Sequence, residues 1–147
     1  MVAFLAMDPD DGTNRALAAP RRRSRRLPPI VRVVAGEGIE VCARCEVAER
    51  TIPRMRGLLG RKGLGPGEGM LINPAPSVMT FFMRFQIDVV FIDNTHKIVK
   101  IVHSLGPWKT AGARGSSAAL ELPAGTAAAL DLEPGMTLVF AGEGAAQ

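Results

Sequence analysis

A chain of 147 residues with 47% hydrophobic side chains has room for one well-packed core, which excludes a disordered or fibrous protein. The net charge of +4 suggests a polyanion partner until it is located: Arg21, Arg22, Arg23, Arg25 and Arg26 hold five of the eighteen basic residues, and from Leu27 onward twelve basic residues face eleven acidic ones. No apolar run approaches the roughly 20 residues of a membrane-spanning helix, so no transmembrane segment is expected.

Residues 1–27 are rich in Arg, Ala, Pro and Asp without hydrophobic periodicity, and read as a disordered extension. MVAFLAMDPDD has no basic residue ahead of its short apolar run and three Asp close behind, so no secretory signal is expected and the expected compartment is cytoplasmic. RRRSRRLPPIVRVVA is only faintly similar to a twin-arginine signal, because Pro28, Pro29 and Arg32 interrupt the apolar segment. A single β-rich domain is expected over 28–142, with a C-terminal tail over 143–147.

The domain opens on IVRVVAGEGIEVCA, where two alternating runs flank Gly36-Glu37-Gly38: a β-hairpin. Thr51 is placed to N-cap a short helix through about Leu59, with Pro53 in its first turn and Met55, Leu58 and Leu59 on its apolar face. The glycine-rich run Gly60–Gly69 ends it. A strand at Met70–Ile72 leads through NPAP into an aromatic strand. Ile87–Ile92 and Lys97–His103 then flank the turn Asp93-Asn94-Thr95-His96. Ser117–Leu122 reads as a further strand and Thr126–Leu130 as one helical turn capped by Thr126. Pro134-Gly135 suits a type II turn before the last strand, Met136–Phe140. About eight short strands and two short helical segments predict a mainly β fold, a single compact sandwich or barrel.

The densest stretch is TFFMRFQIDVVFID, Thr80–Asp93, which sets Arg84 and Asp88 in apolar surroundings. A buried ion without a partner costs several kcal/mol, so the two are expected to pair with each other or with other buried polar groups, Glu121 among them. On one strand they would lie about 13 Å apart at roughly 3.3 Å per residue, so direct pairing needs a bend.

Other chemistry is thin. Cys42-Ala43-Arg44-Cys45 has the spacing of half a zinc site or of a redox motif. On a regular strand, however, Cys45 would face away from Cys42 about 10 Å farther on, so structural thiols are the favoured reading unless a turn intervenes. GRKGLGPGEG lacks the order of a phosphate-binding loop and reads as a surface loop in which Arg61 and Lys62 are solvated. His96 falls in a hairpin turn and is expected exposed, while His103 is read as a half-buried structural histidine. Asp88 and Glu121 could act as a carboxylate pair for general acid chemistry, against the simpler reading that each is held by Arg84 or by backbone donors. With no Tyr and only Trp108 of its type, no aromatic platform for single-stranded nucleic acid is expected.

RGLLGR (Arg56–Arg61), EGMLI (Glu68–Ile72), TFFMRFQIDVVFID, PW (Pro107–Trp108) and LELPAGTA (Leu120–Ala127) occur in an order that resembles the domain-of-unknown-function family numbered 192, over about Val41 to Phe140. The resemblance implies a compact β-rich domain similar to a jelly roll, with no established activity and no catalytic residues to carry over. Many members of that family read PC-x-SIHTFFMRFPID. Here Ala75 stands in the place of the Cys, Met79 in the place of the His and Gln86 in the place of the Pro, so any metal or thiol role of that Cys and His is lost. Many members also carry export signals, and none is seen here.

The leading expectation is a binding or accessory module. Its candidate pocket, near Met83, Arg84, Asp88, Trp108 and Glu121, would hold a small ligand or a partner segment, with no cofactor, metal or catalytic residue expected. The alternatives are a hydrolase-like enzyme using Asp88 and Glu121, and a module held on nucleic acid or an anionic membrane surface by Arg21, Arg22, Arg23, Arg25 and Arg26.

Overall fold

The computed structural model describes residues 30–48 and 61–142. The helix expected over 51–59, the extension over 1–27 and the tail over 143–147 lie outside them. β1 (Ile30–Ala35) buries Val31, Val33 and Ala35 in strict alternation and turns at Gly36 and Gly38. Both glycines sit at positive φ, 53° and 107°, where a side chain would be strained. β2 (Ile39–Ala48) returns antiparallel to β1, and β3 (Glu68–Ile72) then pairs parallel to β2. β5 (Ile87–Ile92) and β8 (Ala118–Pro123) are buried on both faces, as their near-continuous apolar sequences require, and they pair antiparallel as interior strands of the sheet.

With β6 (Ile98–Leu105) and β9 (Leu138–Gly142) the order is β6-β5-β8-β3-β2-β1-β9. Its two outer strands meet at a bridge between Lys97 and Thr137, and the N–H of Ile98 donates to Met136 O at 2.8 Å. The seven-stranded sheet therefore curls into a half-barrel. β4 (Ser77–Met79) and β7 (Thr110–Gly112) form a second, two-stranded sheet that the sequence did not announce.

The curled sheet separates two apolar clusters. Val31, Val33, Leu71, Val90, Leu120 and Leu138 fill its concave side, with Ala127 of the single turn α1 (Thr126–Ala129) and Leu132 over them. Met70, Ile72, Ile87, Val89 and Phe91 face the other way, under Ala75, Val78, Met83 and Phe85. The expected mainly β fold is present, with two local corrections. Thr80–Gln86 is a turn and loop rather than an aromatic strand. Thr126 does not cap α1: Gly125 occupies that position with φ 91°, and no side chain of α1's own flank caps it.

Candidate functional site

The organising residue is Thr80, which is fully buried. Its N–H donates to Lys109 O at 2.8 Å, and its carbonyl accepts the N–H of Trp108 at 3.0 Å and of Met83 at 3.2 Å. Its hydroxyl donates to Gly106 O at 2.6 Å and accepts the N–H of Lys109 at 2.9 Å. One small polar residue thus fastens the loop after β4 to the loop after β6. The fastening sets Phe81, Phe82 and Trp108 side by side on the surface. The Trp108 ring centroid lies 4.5 Å from that of Phe82 and 5.8 Å from that of Phe81. Phe82 is 69% exposed and Trp108 59%, and Met79 beside them in sequence is 67% exposed. Phe82 and Trp108 both hold positive φ, 65° and 61°, a conformation that bulky residues rarely keep without support from their surroundings.

The five residues expected to form one pocket are divided. Met83 is buried in the outer cluster. Glu121 shares that face, because it stands opposite Met70 on one side and Val89 on the other. Asp88 stands opposite Leu122, a residue of the concave cluster, and projects from the other face of the sheet. The two carboxylates therefore do not converge. Arg84 is exposed rather than buried, and it forms no salt bridge among the described residues. The expected Arg84–Asp88 network is absent for a simple reason: the segment around Arg84 is a loop, so strand spacing does not apply to it.

Asp88 solves its burial with backbone donors. A bulge between the Val89–Val102 and Ile87–Leu105 pairs sets two residues of β6, His103 and Ser104, opposite Asp88 alone. Asp88 Oδ1 accepts the N–H of Ser104 at this bulge at 2.8 Å. Oδ2 accepts the N–H of Ala127 at 2.9 Å, which caps α1 from a distant strand. The same bulge explains why His103 is exposed rather than half-buried. His96 is exposed in its turn and meets the Phe140 ring edge-on at 4.9 Å.

Glu121 is the opposite case. It is 4% exposed and its Oε2 has no hydrogen-bond partner among the described residues. Burial pushes its pKa up to about 7, against a smaller opposing pull from Arg61. Arg61 itself is not merely solvated, since its guanidinium donates to Glu46 Oε2 at 2.6 Å. A recess of about 80 Å³ lies there, lined by Ile30, Arg44, Glu46, Arg61, Glu68 and Gly69. It is polar, shares no residue with the aromatic cluster and falls well below the roughly 300 Å³ at which small-molecule pockets begin. Among the described residues no group of three or more His, Cys, Asp or Glu is placed to hold a metal ion.

The family model described as DUF192, uncharacterized ACR, matches residues 32–140, well over half of the chain. The chain belongs to the DUF192 family. This DUF192 domain is similar to a crystal structure of a protein of unknown function from Novosphingobium aromaticivorans DSM 12444, with 24% identity and a TM-score of 0.65 over 78% of this chain and 91% of that one. It is also similar to a protein of Sinorhizobium meliloti 1021 described as a candidate transcription regulator, with 26% identity and a TM-score of 0.67 over 76% of this chain and 92% of that one. No curated protein matches the chain at a significant level.

The aromatic cluster of this DUF192 domain is not legible in the sequence, where Phe81 and Phe82 read as part of an aromatic strand and Trp108 lies 26 residues beyond Phe82. The available signal was the pair of adjacent Phe flanked by Thr80 and Arg84, too polar a setting for a strand buried on both faces. What brings the rings together is the contact of Thr80 with residues 26 and 29 positions away, and no local pattern records that.

Proposed function

We propose that this DUF192 domain is a binding module whose recognition surface is the cluster of Phe81, Phe82 and Trp108. The observation that carries this reading is the exposure of Phe82 and Trp108, 69% and 59%, on backbone at positive φ. Folding gains nothing from leaving two large rings in water, and the strained backbone costs on the order of 1–3 kcal/mol per residue. An arrangement kept at that cost and fixed by five hydrogen bonds of Thr80 is preorganised for an occupant. The cluster offers apolar and π surface. Exposed Arg84 and Lys109 adjoin it in sequence. A ligand or partner segment with an aromatic or aliphatic anchor and an anionic end matches those groups.

The hydrolase reading loses support from the geometry, since Asp88 and Glu121 face opposite sides of the sheet and both Asp88 oxygens are engaged. The surface-anchoring reading rests on Arg21, Arg22, Arg23, Arg25 and Arg26, outside the described residues. Trp108 is the only tryptophan, so its fluorescence reports on the proposed surface directly. A screen of aromatic small molecules and short peptides by that signal should yield hits that Phe82→Ala weakens at least tenfold without changing the unfolding temperature. Hits that bind Phe82→Ala as tightly as the parent chain would overturn the proposal.

A further inference from the structure

The C-x-x-C cysteines are brought together by an irregularity in β2. Between Val33 and Val31, β1 advances two residues, while β2 advances three from Cys42 to Cys45. Ala43 and Arg44, both exposed, share the place opposite Arg32. The bulge restores the parity that a regular strand would break, and both cysteines enter the concave core, each fully buried. It also shortens their separation from about 10 Å to about 7 Å at roughly 3.4 Å per residue of the partner strand, the upper end of the Cα range for a disulfide. Both are free thiols. The Cys42 thiol donates to Gly67 O at 3.3 Å and the Cys45 thiol to Glu46 O at 3.7 Å. The neighbouring Cys45 thiol lowers the Cys42 thiol from its ordinary value against the opposing effect of burial. The nearby Cys42 thiol, with burial, pushes Cys45 up. Gly69 makes room for the pair, because a Cβ there would stand 2.9 Å from Cys42 Sγ.

We propose that Cys42 and Cys45 form a dithiol–disulfide redox site, oxidised by a low-molecular-weight disulfide. This inference is independent of the aromatic surface. Cys42 is the attacking group: its thiolate displaces one sulfur of the reagent, the reagent's S–S bond breaks, and the first thiol leaves with the proton Cys42 gave up. The mixed disulfide on Cys42 is then attacked by the Cys45 thiolate, and the second thiol leaves with the proton from Cys45. The chain loses two hydrogens and two electrons, and the reagent is reduced to two thiols.

Access runs past the glycine-rich loop before β3. Gly67 O accepts both the Arg44 N–H at 2.9 Å and the Cys42 thiol at 3.3 Å, so opening that clasp uncovers Cys42. Oxidation in turn removes the thiol proton that Gly67 O accepts.

The test uses the full chain, equilibrated in glutathione buffers of increasing oxidising strength, then acid-quenched, denatured, alkylated and weighed by mass spectrometry. The expected result is loss of both thiols together, in a monomer lighter by two hydrogens and free of glutathione. Cys45→Ser should instead stop at a glutathione adduct on Cys42. Thiols that remain fully alkylatable in the most oxidising buffer, a persistent adduct on the parent chain, or disulfides between chains would overturn the proposal. The parent-chain masses decide the matter even if Cys45→Ser fails to fold.

Discussion

Asp88 is fully buried without a cation paired to it among the described residues, and its two backbone hydrogen bonds, from Ser104 and Ala127, explain how. Asp88→Ala should leave both N–H groups unsatisfied and destabilise the domain by about 2–5 kcal/mol in urea unfolding. Arg84→Met should change stability by less than about 0.5 kcal/mol, since Arg84 is exposed. Glu121 sets a pH dependence whose sign follows from its folded-state pKa of about 7 against an ordinary 4.5. Between those values the native state keeps a proton that the unfolded state has released. Stability is therefore full below pH about 4.5, falls as pH rises toward 7, and levels off above it at a loss of about 3 kcal/mol. Glu121→Gln should remove this slope and unfold at higher urea than the parent at pH 8, with little difference at pH 4. A parent chain whose stability rises between pH 5 and 7, with no change in that slope in Glu121→Gln, would contradict the assignment.

At the scale of elements, the hairpin of β1 and β2 was legible because apolar alternation and two glycines agree on it. β5 and β8 were legible because short continuous apolar runs bounded by turn residues mark central strands. Two kinds of feature escaped. The bulges in β2 and β6 each shift side-chain parity by one residue, and so misplaced Cys45 and His103. The Thr80 clip depends on partners far along the chain and turned an apparent aromatic strand into a surface loop. Of the expected pocket, Trp108 alone belongs to the aromatic surface. Thr80→Val keeps the shape of the side chain but removes the hydroxyl bonds to Gly106 and Lys109. It should destabilise the domain by about 2–4 kcal/mol and loosen Trp108, read as lower fluorescence anisotropy in the native state. Unchanged anisotropy would mean that the loop is held by other contacts. Gly69→Ala should cost about 1–3 kcal/mol, because its Cβ would meet Cys42 Sγ and Glu121 O at 2.9 Å each.

Taken whole, residues 28–142 carry twelve basic and ten acidic side chains, so the domain presents little net charge to a partner. Recognition through the aromatic cluster, with only Arg84 and Lys109 to meet an anionic end, should weaken modestly with ionic strength, by about three- to tenfold between roughly 50 and 500 mM salt. Recognition through the Arg21–Arg26 run would instead weaken steeply over the same range. Amide chemical-shift mapping with the tightest hit of the fluorescence screen locates the binding surface residue by residue. The largest shifts are expected within residues 79–84 and 106–110. Shifts concentrated instead around Arg44, Arg61 and Glu68, with residues 79–84 unmoved, would contradict that expectation.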